Sequence, residues 1–132
     1  MIVVDASALV AIAQAEPEEI SFLAVLMETD IAYLSPINYV ETGLVLTRRG
    51  LIPDQRRLDL WLANVNVSVR EDVDLGAHAL DTYLRYGKGF HPARLNLADC
   101  FAYALAKTLN VPLLYKGDDF AKTDIRSAFQ PT

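Results

Sequence analysis

A chain of 132 residues that is 52% hydrophobic and 22% charged has enough apolar material for one core and too little length for two. A single cysteine, Cys100, excludes an intrachain disulfide, and no stretch reaches the roughly 18–20 apolar residues of a membrane helix, so a cytoplasmic protein is expected. The net charge of −5 argues against the basic footprint of most nucleic-acid binders, unless some of the acids serve as ligands of a cation.

Residues 2–4 are a short β-branched run ending at Asp5, the pattern of a buried parallel strand. Residues 7–14 read as a helix. A second helix spans 17–29, with Pro17 in its first turn and Glu18 and Glu19 complementing the helix dipole. A second strand covers 31–35. Ser35-Pro36 is an N-cap followed by an N1 proline, so a third helix runs from Pro36 towards Arg49 and stops at Gly50.

Pro53 opens a fourth helix through Trp61 to about Asn64, and 65–70 contains a third strand. A fifth helix runs from Asp72 to about Tyr86, ending at Gly87, and 88–95 is a loop. Asn96 caps a strongly apolar helix that runs to Leu109, with Asn110 as a left-handed cap, and 111–115 is the fourth strand. Alternating strands and helices predict a single three-layer α/β/α domain over 1–132, with a mainly parallel sheet of four to five strands. Such sheets bind ligands beyond the carboxyl ends of their strands, at a topological switch point.

Four places carry acids that such a site can use. Asp5 ends the first strand; taken alone it reads equally well as a helix cap, although Ser7 is available for that task. Glu41 falls on the apolar stripe of Ile37, Val40, Leu44 and Val45, where an inward carboxylate needs a cation, a proton or an arginine. Asp99 lies in the first turn of the apolar helix, where Asn96-Leu97-Ala98-Asp99 also resembles a capping box. Asp118 and Asp119 follow the fourth strand in a Lys-Gly-Asp-Asp segment that alone reads as a turn. Carboxylates gathered at one sheet edge repel unless a cation joins them. Hard oxygen donors without cysteine or paired histidine select Mg²⁺ or Mn²⁺, and such an ion suits phosphodiester hydrolysis by an activated water.

The residues also resemble a known family. Val3-Val4-Asp5-Ala6-Ser7-Ala8-Leu9, Glu41 in the third helix, Asn96-Leu97-Ala98-Asp99-Cys100-Phe101-Ala102-Tyr103-Ala104-Leu105-Ala106 and Leu114-Tyr115-Lys116-Gly117-Asp118-Asp119-Phe120 are similar, in order and spacing, to the motifs of PIN domains, and in particular of VapC toxins. The resemblance covers essentially the whole chain. It implies a PIN-like fold, an Mg²⁺- or Mn²⁺-dependent ribonuclease, a homodimer, and inhibition by a VapB-type antitoxin. Asp5, Glu41 and Asp99 take the core acidic positions. Asp118 is favoured as the fourth acid, with Asp119 as its substitute. Ser7 occupies a position that often helps orient the site, and Asn38 either does the same or is a plain surface amide.

The segment 82–98 has no acid and carries Arg85, Lys88, His91 and Arg94 among Tyr83, Tyr86 and Phe90, a mixture suited to phosphate contact and base stacking. The basic pairs Arg48-Arg49 and Arg56-Arg57 read as solvated helix faces. Three other functions compete: a phosphoacceptor signalling domain, an aspartyl-nucleophile phosphatase, and a PIN-like scaffold without activity. The first wants an acidic pair at strand one and the second an Asp-x-Asp, whereas the chain has Asp5-Ala6-Ser7.

Overall fold

A computed structural model describes residues 1–130; the last two residues of the expected 1–132 domain lie outside the described residues. Four short strands, β1 (Ile2–Val4), β2 (Ala32–Leu34), β3 (Val67–Val69) and β4 (Leu113–Leu114), form a wholly parallel sheet in the order β3-β2-β1-β4. Val3 pairs with Tyr33 on one side and with Leu113 on the other, so β1 is central. A fifth strand is reduced to one bridge, in which Ser127 lies beside Leu113.

Among the described residues six α-helices surround the sheet: α1 (Ala6–Ala13), α2 (Glu19–Glu28), α3 (Pro36–Arg48), α4 (Gln55–Asn64), α5 (Gly76–Tyr86) and α6 (Leu97–Leu109). The period-2 alternation of β1 divides the core. Ile2 and Val4 pack with Leu34 of β2 and with Leu9, Phe22, Leu26, Leu46, Leu58 and Leu62 of α1 to α4. Val3 packs with Leu75, Ala79, Tyr103, Leu105 and Leu113, beneath α5 and α6. These two cores make the three layers. The chain leaves β1 towards β2 and returns to β4 on its other side, so the switch point lies between the carboxyl ends of β1 and β4.

Several boundaries differ from the sequence expectation for local reasons. α1 begins at Ala6 because Asp5, not Ser7, is its N-cap. α4 begins at Gln55 because Asp54 accepts the Arg57 N–H; Pro53 precedes the cap. α2 begins at Glu19, after a turn that holds Pro17. α5 begins four residues late: Asp72 is paired with Arg70, and Asp74 Oδ1 accepts the Gly76 N–H, local bonds that compete with a helical turn. At the other end of α6, Asn110 adopts the expected left-handed cap, with φ 55° and ψ 50°.

The largest departure concerns α3. Its buried side chains are Asn38, Thr42 and Leu46. Val40 and Leu44, assigned above to an inward stripe, are 55% and 49% exposed. The apolar stripe therefore forms an outer surface, and Glu41 lies at the boundary between that surface and the buried side.

Candidate active site

A cavity of about 450 Å³ opens where the switch point requires one. Its lining includes Asp5 from the end of β1, Glu41 from α3, Asp99 from α6 and Asp119 from the segment after β4. Asp118 is not part of the lining. Gly117, at φ +101°, turns the chain after β4, and Asp119 then opens the 3₁₀ turn Phe120–Lys122. A larger depression of about 600 Å³ beside Arg56, Leu60 and Trp61 contains no carboxylate and does not offer the same chemistry.

Asp5 is 3% exposed. Its Oδ2 accepts the Ser7 N–H at 3.0 Å, which makes it both cap and cavity acid. Its Oδ1 has no hydrogen-bond partner and is the one such buried side-chain oxygen or nitrogen among the described residues. Burial pushes the Asp5 carboxyl up to about 6; hydrogen bonds from Ser7 oppose the shift and repulsion from Glu41 adds to it. Freed from capping, the Ser7 hydroxyl accepts the Lys116 backbone N–H at 3.0 Å, which ties α1 to the end of β4.

Asp99 forms the capping box suspected from the sequence. Its N–H donates to Asn96 Oδ1 at 2.8 Å, and its Oδ2 accepts the Asn96 N–H at 2.9 Å. Desolvation pushes Asp99 to about 6, with repulsion from Asp5 and then Asp119 acting in the same direction. Burial also raises Glu41, followed by repulsion from Asp99 and opposed by Asn38. The acids thus sense one another in a closed series.

Asn38 is fully buried rather than a surface amide. Its Oδ1 accepts the Ser35 hydroxyl, and its Nδ2 donates to Ala98 O at 3.1 Å and more weakly to Glu41 at 3.5 Å. It links α3 to the first turn of α6, the two elements that carry Glu41 and Asp99.

The acids share a cavity without forming a ready cage. Among the described residues, no three His, Cys, Asp or Glu side chains stand so as to hold an ion. Asp5, Glu41 and Asp99 are each engaged by their own segment, and like charges keep the bare oxygens apart. The donor set still fits a hard divalent ion: it is all oxygen, it includes the orphaned Asp5 Oδ1, and it has no thiolate or imidazole. Cys100 is buried and pushed up to about 12 by desolvation, so it is a packed thiol rather than a ligand or nucleophile.

The 82–98 residues separate. Arg85 pairs with Asp81 at 3.7 Å, lies over the Tyr86 ring, and borders a depression with Lys107 and Asp124. Lys88, His91 and Arg94 line another shallow depression with Phe90. The loop is pinned by Lys88 N–H to Leu95 O at 3.0 Å and Leu95 N–H to Tyr86 O at 3.0 Å. Two cations that sequence reading missed, Arg49 and Lys116, line the acidic cavity itself. No motif marks Arg49; only its place at the C-terminus of α3 brings it there.

The PIN-domain family model matches residues 2–126, and the chain belongs to that family. Ribonuclease VapC30 of Mycobacterium tuberculosis is 44% identical over 130 residues, covering 98% of this chain and 99% of its own. Within PIN domains, the chain therefore falls among the VapC ribonucleases. Mycobacterium tuberculosis VapC20, a sarcin-ricin-loop-cleaving toxin, shares the fold with a TM-score of 0.74 at 18% identity over 99% of this chain and 100% of its own. A chain of a toxin–antitoxin complex from Klebsiella pneumoniae does so with 0.70 at 14% identity over 99% and 100%. This membership removes the phosphoacceptor and phosphatase alternatives. Among the described residues, no helix is long and apolar enough to cross a membrane.

Proposed function

We propose that this chain is the cytoplasmic toxin of a toxin–antitoxin pair and hydrolyses RNA with Mg²⁺ or Mn²⁺ held by Asp5, Glu41, Asp99 and Asp119. The observation that carries the reading is the buried, unpartnered Asp5 Oδ1 in a carboxylate that lines the same cavity as the other three acids. Asp119 replaces Asp118 in this set because it lines the cavity. When bound, the ion offsets charge on the phosphate and leaving oxygen and lowers the pKa of a water.

The chain's own residues prepare the site. Ser7 N–H holds one Asp5 oxygen and leaves the other free. Asn96 N–H holds one Asp99 oxygen in the same way. Asn38 fixes the approach of α3 to α6. Neither histidine lines the cavity: His91 Nδ1 accepts the Ala93 N–H at 3.0 Å, and His78 borders the depression beside Arg85. Acid–base attack by the RNA 2′-hydroxyl therefore lacks its usual side chains. Hydrolysis leaves a 5′-phosphate and a 3′-hydroxyl. Lys88, His91 and Arg94, on the loop that precedes Asn96, offer further phosphate contacts, and Arg85, in a separate depression and paired with Asp81, is the weakest candidate of the four.

A VapB-type antitoxin inhibits by placing a basic side chain among the acids. The exposed α3 face of Ile37, Val40 and Leu44 supports a homodimer. The test is cleavage of cellular RNA by purified protein, with sequencing of the ends. Magnesium-dependent 5′-phosphate ends, lost in EDTA and in Asp99→Asn, are expected. An RNA left intact under all conditions identifies an inactive scaffold.

A further inference from the structure

The cavity lining carries five carboxylates, Asp5, Glu16, Glu41, Asp99 and Asp119, against two cations, Arg49 and Lys116. A polyanionic strand approaches such a site only if fixed cations meet its phosphates, because one divalent ion leaves the ionised lining negative. The two cations belong to one network built by the turn between α1 and α2. Arg49 donates to Gln14 Oε1, and the Gln14 amide donates to Glu16 Oε1 at 2.7 Å. The other Glu16 oxygen accepts Lys116 Nζ, which also lies 3.2 Å from Glu18. Ala15, at φ 53°, turns the chain so that Glu16 and Glu18 reach a lysine a hundred positions away.

Stability does not explain this arrangement well. The three side chains of the lysine cluster are 36%, 26% and 28% exposed, and partly solvated ion pairs contribute little to stability. Two carboxylates on one ammonium exceed what its charge neutralises. The backbone of Lys116 is meanwhile locked by Ser7, the residue that also holds Asp5. The lysine is thus fixed in register with the acidic centre, while its head group sits on exchangeable anions.

We propose that Arg49 and Lys116 form a phosphate-binding subsite that seats the RNA strand at the acidic centre, with Glu16 and Glu18 occupying Lys116 until a phosphate displaces them. The proposal rests on the ribonuclease reading and names two of its substrate contacts. Glu16 holds Lys116 directly and Arg49 through Gln14, whereas Glu18 only competes for the lysine. Removing the two cations and removing Glu18 therefore have opposite effects on binding.

The test is fluorescence anisotropy of a short labelled single-stranded RNA, titrated in Mg²⁺ across a salt series with protein carrying Asp99→Asn to prevent cleavage. Lys116→Ala and Arg49→Ala are each expected to weaken binding roughly tenfold at low salt. Each also flattens the slope of log affinity against log salt by about 0.7, the loss of one phosphate contact on a single strand. Lys116→Arg keeps the slope, Glu18→Gln tightens binding, and Lys122→Ala, on the exposed 3₁₀ turn, changes nothing. Wild-type affinity and slope in both alanine variants, or weaker binding in Glu18→Gln, overturns the subsite and leaves the ribonuclease reading standing. RNA that neither binds this protein nor is cut by the unmutated chain overturns both. Should Lys116→Ala fail to fold, Arg49→Ala and Glu18→Gln decide the matter with the same readout.

Discussion

The Asn38 side-chain amide donates to the Ala98 carbonyl at 3.1 Å, across sixty positions of sequence. That bond joins the helix carrying Glu41 to the turn carrying Asp99. It lies in a buried place, where the amide also takes the Ser35 hydroxyl. Asn38→Ala leaves the Ser35 hydroxyl donor unpaired, at about 1–3 kcal/mol, and removes the tie to Ala98 O, which keeps its partner within α6. The expected outcome is a lower Tm together with roughly 10–100-fold weaker Mn²⁺ binding, the usual cost of removing a group that orients ligands. Calorimetric Mn²⁺ titration of the folded variant checks it; unchanged affinity refutes the orienting role.

The acids also set a pH dependence. Asp5 and Asp99 ordinarily titrate near 3.8 and are both pushed to about 6 in the fold. Between those values the folded chain holds protons that the unfolded chain has released. Their contribution to metal-free stability is therefore fully present below about pH 4, falls as pH rises through about 6, and stays lost above it. For Asp5 the loss amounts to at most about 3 kcal/mol. Asp5→Asn keeps an N-cap acceptor while removing the charge, so in EDTA at neutral pH it should melt several degrees higher than the wild type, with the gain vanishing near pH 4. Melts in EDTA across that range are the check, and a mutant less stable at neutral pH defeats the account. Added Mg²⁺ should stabilise the wild type and leave the variant nearly unmoved.

Which acid follows β4 into the site is decided by comparing two variants. Asp119 lines the cavity and repels Asp99; Asp118, its neighbour, does neither. Asp119→Asn is expected to reduce kcat at least tenfold, and Asp118→Asn to stay within about twofold, since one misplaced charge at a transition state readily costs about 1.4 kcal/mol. Equal losses, or the reverse order, return the role to Asp118.

Much of this site was legible in the sequence because its parts are local. Asp5 ends a β-branched run, and Asn96 with Asp99 forms a capping box that any reader of helix starts can see. The parallel sheet follows from alternating strands and helices, although its strand order does not. What was not legible depends on orientation. The stripe Ile37, Val40 and Leu44 has helical spacing, but spacing does not say whether a stripe faces the core or the outside. Here the polar side chains Asn38 and Thr42 take the inside, because Asn38 finds the Ser35 hydroxyl and Ala98 carbonyl, and Thr42 Oγ1 finds Asn38 O. Asp118 and Asp119 are adjacent, and only the left-handed turn at Gly117 decides which one reaches the cavity. Lys116 and Glu16 are separated by nearly the whole chain, and no local pattern connects them.

The exposed α3 stripe leads to the last expected outcome. Val40 and Leu44 are about half exposed, and with Ile37 and Val45 they line an apolar depression of about 510 Å³ beside Glu41 and Arg48. Leaving such side chains in water forgoes part of the roughly 1.5–3 kcal/mol that burying each contributes. A second copy meeting this face recovers that contribution, and a C2 contact lets the same stripe serve both partners. Leu44→Glu puts a carboxylate at the centre of the face, and the dimer places two of them together. The variant should sediment as a monomer at concentrations where the wild type is a dimer, with circular dichroism and Tm of the isolated subunit little changed because Leu44 is outside the core. Glu41 borders the same depression, so a dimer built on this face would also wall one side of the acidic cavity; the monomeric variant should then show a raised KM for RNA, relieved in part at high protein concentration. A wild type that sediments as a monomer, or a Leu44→Glu variant that remains dimeric, would show that the stripe is not the dimer face.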